Sequence, residues 1–221
     1  FSRQSQSPAA QAARFQKRLA RQPAEILPLL SHRYAEVSGA PDFLLQLANR
    51  ARQAGDANLA NLADGLFLLP NRTQAGLSII TRTLDDVAAS GREWTDLARQ
   101  RQIYRTCLAL LDAPSTTELG LLRPQLVHLI GVLEEQGARS QLFESLLPVL
   151  TSLRDSERVD AVEDRLVYLS QAESMLRLVQ EQAAESEASI ERTLVRAIAR
   201  RWSGLLSAEL EDQRGRAALA F

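Results

Sequence analysis

The stretch Asp42-Phe-Leu-Leu-Gln-Leu-Ala-Asn-Arg-Ala-Arg-Gln-Ala-Gly-Asp-Ala-Asn-Leu-Ala-Asn-Leu-Ala-Asp-Gly-Leu-Phe-Leu-Leu-Pro70 decides the architecture of this chain. Phe43, Leu44, Leu47 and Ala51 fall on one side of a helix, and Leu59, Leu62, Leu66 and Leu69 on one side of a second. Between them Gly55 ends the first helix and Asp56 caps the second. Pro70 closes the second, because its ring blocks continuation. A helix, a tight turn and a helix in roughly 30 residues is the size of one α-solenoid unit. The spacing therefore predicts an all-α fold that begins as an array of short helical hairpins, a solenoid-like bundle. No fixed-period repeat extends through the chain, and the tetratricopeptide pattern is absent.

The punctuation continues in both directions. Ser7 and Pro8 start a helix that runs to about Ala20, with Ala12, Phe15 and Leu19 on one face. Pro23 opens another through Ile26, Leu30, Tyr34 and Val37, stopped by Gly39 and Pro41. Beyond Pro70, Thr73–Ala89 reads as a helix facing inward with Leu77, Ile80, Leu84 and Val87, and Gly91 breaks it. A further helix starts near Thr95 and uses Leu97, Tyr104, Cys107, Leu108 and Leu111 up to Pro114. Ser115-Thr-Thr-Glu118 is a capping box, and the helix it opens runs through Leu122, Leu126, Leu129, Ile130 and Leu133 to Gly137, with Pro124 as a kink. The next spans about Ser140 to Leu153.

After Asp155 the texture changes, with neither Gly nor Pro through Ser203. Val159, Val162, Leu166, Leu169, Leu176 and Val179 repeat at three-four spacing on a charged background. Glu185-Ser-Glu-Ala-Ser189 is the break, and Ile190, Leu194, Ile198, Trp202, Leu205 and Leu206 continue to about Asp212. This predicts a long antiparallel helix pair of roughly 25 residues each, about 37 Å long. The expected division is residues 1–155 as the helical array, 156–213 as the long hairpin and 214–221 as a tail that begins a following domain.

Composition agrees with this reading. Hydrophobic residues make up 45% of the chain and aromatics only 5%, so the core must be aliphatic, chiefly Leu and Ala, which suits helices. With 26 basic and 27 acidic residues the chain is balanced, which argues against a general nucleic-acid or membrane-surface binder. Lys17 is the only lysine, a bias consistent with GC-rich coding. Cys107, the one cysteine, excludes an internal disulfide and fits a reducing, cytoplasmic setting. No run approaches the roughly 18 apolar residues of a membrane span. The chain opens on Phe1 rather than Met, which reads as a processed form or a piece of a longer protein. Residues 1–21 carry Arg3, Arg14, Lys17, Arg18 and Arg21 with no acid. Transit peptides share that bias, but a basic first helix is the simpler reading.

Chemistry-bearing constellations are sparse. His32 and Glu36 share a helix face at i, i+4, yet neither they nor His128 belong to a pattern with enough ligands for zinc or a di-iron centre. Cys107 lies on an apolar face with no histidine nearby to activate it. Asp85-Asp86 and Glu134-Glu135 are adjacent and so point about 100° apart, which suits solvated helix surface better than a shared substrate atom. Phosphate-binding loops, nucleophile elbows and dinucleotide turns are absent from the sequence. The reading is thus of a chain without catalytic residues, metal or cofactor. Arg192, Arg196 and Arg200 recur every four residues with Arg201 beside them. This stripe is the candidate contact surface for a phosphate or an acidic partner. The simpler account is a dipole-matched helix laced by ion pairs, since Glu181, Glu185, Glu187 and Glu191 precede the arginines.

The sequence Ile190-Glu-Arg-Thr-Leu-Val-Arg-Ala-Ile-Ala-Arg-Arg-Trp202, with Leu205-Leu-Ser-Ala-Glu-Leu210 and Arg214-Gly-Arg-Ala-Ala-Leu219, resembles the helical region before a β-rich domain in bacterial multidomain NTPases of the STAND class. Phe43-Leu-Leu-Gln-Leu47 through Arg52-Gln-Ala-Gly-Asp56 is similar to helical segments beside CHAT-type protease modules. The resemblance covers about a quarter of the chain and includes neither the ATPase loop nor the protease dyad, so it transfers no catalytic residue. It implies a linker, sensor or oligomerisation region of a signalling or defence protein. The expected function is a noncatalytic helical scaffold that contacts a protein partner or neighbouring domains of its own polypeptide. The long helices offer a surface for homo-oligomerisation. The alternative is a nucleic-acid-binding helical domain using the arginine stripe.

Overall fold

The structure, a computed structural model, describes residues 7–21, 42–91, 97–112, 127, 130–131, 141–186 and 189–219. Side chains at 18–21, 141–142 and 219 are outside the description. The fold is all-α, and no strand occurs among the described residues. The helices are α1 (Pro8–Arg21), α2 (Asp42–Gln53), α3 (Ala57–Leu68), α4 (Thr73–Ala89), α5 (Leu97–Asp112), α6 (Gln141–Glu144), α7 (Leu146–Ser156), α8 (Val162–Glu185) and α9 (Ile190–Leu219). The helix expected from Pro23, the capping box at Ser115, His32, Glu36, His128 and Glu134-Glu135 lie outside the described residues.

Packing divides the chain into two compact units, one of residues 1–108 with 187–193 and one of 109–186 with 194–221. The boundary expected at residue 155 falls within the second unit, close to the turn between α7 and α8.

In the first unit, α1 packs on α2, α2 on α3 and α3 on α4. The Ser7 hydroxyl accepts from the Ala10 N–H at 3.3 Å and starts α1. Phe15 and Phe43 meet edge to face at 5.6 Å between centroids, joining α1 to α2. Gly55 takes φ +75°, which favours glycine, and the Asp56 carboxylate accepts from the Leu59 N–H at 3.1 Å. Leu47, Leu62, Leu69, Leu77, Ile80 and Leu84 have no solvent exposure. Burial of each such side chain stabilises the fold by about 1.5–3 kcal/mol.

Threonines enter this interior bonded within their own helices. Thr81, Thr83 and Thr106 are buried, and each hydroxyl donates to the carbonyl four residues earlier: Leu77 at 2.8 Å, Ile79 at 2.8 Å and Gln102 at 2.6 Å. A buried hydroxyl satisfied in this way avoids the cost of an unpaired polar group.

In the second unit, α7 packs on α8. The single helix expected from Ser140 to Leu153 is two, α6 and α7, with a turn at Ser145. Pro148 supplies the reason, since it has no N–H to offer the Glu144 carbonyl and its ring crowds that position. The Arg165 guanidinium donates to the Ser156 carbonyl at 3.2 Å and pairs with Glu157 at 3.6 Å, fixing the approach to α8. The long helices run antiparallel: Gln180 Nε2 donates to the Ala199 carbonyl at 3.2 Å and Ser207 Oγ to Glu173 at 3.5 Å. α9 extends over 30 residues to Leu219, past the end expected near Asp212. Arg216 pairs with Asp212 one turn earlier at 2.8 Å, and the flanking Arg and Ala residues favour helix strongly enough to carry it through Gly215. The supposed tail is therefore helical as far as Leu219.

Candidate interaction surfaces

Arg196, Arg200 and Arg201 lie in the second unit and are exposed, whereas Arg192 is half-buried and belongs to the first. Ser189 sets the start of this helix, its hydroxyl accepting from the Arg192 N–H at 3.0 Å. Among the described residues, no ion pair or side-chain hydrogen bond engages Arg196 or Arg200. Ion-pair lacing therefore does not account for those two arginines. Trp202 beside them is buried and acts as a packing anchor, and among the described residues its indole Nε1 has no hydrogen-bond partner.

The acidic pair Asp85-Asp86 separates in role. Asp86 is exposed, but Asp85 accepts from Arg101 at 2.9 Å and Arg105 at 2.8 Å and ties α4 to α5. Burial pushes the Asp85 carboxyl up, yet the hydrogen bonds and charges of Arg105 and Arg101 outweigh it and hold the group below the usual carboxylate range. Its two partners complete a structural clamp. Cys107 is buried, and burial, with a smaller contribution from the Glu191 charge, pushes its thiol up to about 12. A thiol so placed is a poor nucleophile. Among the described residues, His, Cys, Asp and Glu form no group that could hold a metal ion. No helix among those residues is long and apolar enough to cross a membrane.

The surface that sequence reasoning missed is the outer face of α8. Leu169, Ala172, Leu176, Val179 and Ala183 form its buried face, but Val167 and Leu178 are 54% and 58% exposed. Leu166 and Met175 are half-buried beside them. Together with Ser170, Gln171 and Ser174 they line one shallow, open apolar strip. All of these residues belong to a single helix, so the strip is a helix face and not an enclosed cavity. Ser174 Oγ donates to the Ser170 carbonyl at 3.0 Å, which spends the hydroxyl proton within the helix. Val167, Gln171, Ser174 and Leu178 are spaced four, three and four residues apart and so share one helix face, with the apolar side chains at its two ends.

Comparison with protein-family models, curated proteins and solved structures found no match to this chain.

Proposed function

We propose that this chain is a noncatalytic helical interaction module that engages a protein partner or a neighbouring domain of its own polypeptide. The observation that carries the reading is the outer face of α8, where Val167 and Leu178 stand in water on one contiguous apolar strip. Isolated exposed apolar residues are ordinary, but a contiguous apolar strip along one helix face is the form in which one helix meets another. A cytoplasmic setting suits the lone reduced thiol. The wider setting proposed is the helical region of a bacterial STAND-class signalling protein. A phosphate-binding loop upstream in the open reading frame would support it.

The test is photocrosslinking in the full-length protein within the cells that make it. A photoreactive residue in place of Val167 or Leu178 should give a discrete adduct. The same residue in place of Arg82, exposed on α4, should not. Equal yields from all three positions would overturn the reading.

A second reading, nucleic-acid binding through the arginine stripe, is favoured by the absence of ion pairs on exposed Arg196 and Arg200 among the described residues. A mobility shift that weakens with salt and disappears in Arg196→Glu/Arg200→Glu would support it. No shift at low salt removes it.

A further inference from the structure

We infer that the outer face of α8 receives an amphipathic helix whose apolar stripe carries lysine or arginine at both ends. The inference rests on the interaction-module reading and names the chemistry of the partner.

From Val167 to Leu178 the strip spans three helical turns, about 16 Å at 1.5 Å per residue. The same row of positions continues at each end into carboxylates. Asp164 lies three residues before Val167, with Glu163 beside it, and Glu181 and Glu185 lie three and seven residues after Leu178. All four are exposed, and among the described residues none is held in an ion pair. Arg165 is already engaged by the Ser156 carbonyl and Glu157, and the exposed Arg177 beside Leu178 is outnumbered by Glu181 and Glu185, so both ends carry net negative charge.

Helix stability explains only half of this pattern. Glu163 and Asp164 occupy the first turn, where acids complement the helix dipole. Glu181 and Glu185 stand near the C-terminal end, where acids oppose it and where α8 has no basic residue in its last turn. The carboxylates beyond Leu178 therefore oppose the dipole; within α8 only Arg177, four residues before Glu181, stands within a turn of them, and among the described residues no ion pair joins them.

The same charges disfavour a second copy as the occupant. An antiparallel copy that placed Val167 against Leu178 would also place Asp164 against Glu181, twice. A parallel copy would place Asp164 against Asp164 and Glu181 against Glu181. Like charges held opposite one another in a seam are destabilising. A partner with cations at both ends meets carboxylates in either direction, and the apolar centre of its stripe covers Val167, Met175 and Leu178.

The experiment is selection from a displayed library of helical peptides, each with a fixed leucine stripe of three turns and Lys or Glu varied at its ends. The target is the full chain. Clones basic at both ends should be enriched about tenfold or more over clones acidic at both ends. Asp164→Lys/Glu181→Lys should reverse that preference. Val167→Glu/Leu178→Glu should abolish selection while the circular dichroism spectrum stays unchanged. Enrichment blind to end charge, no enrichment at all, or a dimer in sedimentation that Val167→Glu dissociates would each overturn the inference. If selection fails while the photocrosslinks from positions 167 and 178 persist, the module reading stands and only the partner chemistry falls. Loss of both removes both.

Discussion

Gly65 on α3 and Gly76 on α4 lie back to back, so close that a methyl group on Gly76 would sit 2.5 Å from the Gly65 carbonyl oxygen. The same methyl would meet the Leu69 backbone nitrogen at 2.9 Å, and backbone cannot swing aside as a side chain can. Gly76→Ala is therefore expected to destabilise the first unit by about 1–3 kcal/mol, despite alanine's better helix propensity. Urea denaturation followed by circular dichroism checks this. A stabilised variant would show that α3 and α4 do not approach so closely.

The clamp on Asp85 makes a pH-dependent contribution. Its folded-state pKa is lowered, because Arg105 and Arg101 outweigh the opposing effect of burial. The stabilisation is present above the unfolded-state value of about 3.9 and is lost as pH falls through the lower folded value. Asp85→Asn should cost about 0.5–1 kcal/mol near neutral pH, the scale of partly exposed pairs, and progressively less in acid. Denaturation midpoints of both proteins across the acid range provide the measurement. A constant difference down to the lowest pH would refute the assignment.

Burial of Cys107 predicts a silent thiol. With its pKa pushed up to about 12, the native chain should react with a thiol-specific chromogenic reagent far more slowly than the unfolded chain. Reaction should become complete once denaturant is added. Rapid labelling of the native protein would mean that α5 opens readily.

Trp202 offers a volume test. Trp202→Ala should cost about 3–5 kcal/mol, the scale for removing a buried aromatic side chain. Trp202→Phe should cost clearly less, because among the described residues the indole N–H has no hydrogen-bond partner to lose. Equal losses would mean that the indole nitrogen does have a partner.

These expectations rest on features that were unequally visible in the sequence. Gly55, Asp56 and Gly91 act through their own backbone or the adjacent turn, so their roles could be read directly. The close approach of Gly65 and Gly76 could not, since it depends on two helices meeting. Pro148 was visible, but its effect on the Glu144 carbonyl depends on which turn of the helix it occupies. Gly215 lies inside α9 because neighbouring Arg and Ala residues carry the helix through it.

The candidate surfaces divide in the same way. The arginine stripe follows from spacing alone, and Arg196, Arg200 and Arg201 are exposed where spacing placed them on the surface. The sequence also suggested ion pairs for Arg196 and Arg200, but such pairs require side chains to come within reach, which spacing does not establish. Val167 and Leu178 escaped notice because α8 has apolar residues around much of its circumference. Only the packing of α7 on α8 and the antiparallel α9 determines which of those residues remain outside.

The buried threonines of the first unit have a mechanical consequence. The hydroxyls of Thr81, Thr83 and Thr106 each take their acceptor from their own helix, so the bond travels with the helix that makes it. A small slide of α4 against α3 would break none of these three bonds and would be opposed by the fit of apolar side chains and by the two opposed glycines. Slippage of α4 against α5, by contrast, would pull on the Asp85 clamp at the rim. The first unit thus has one sliding joint governed by shape and another restrained by charge.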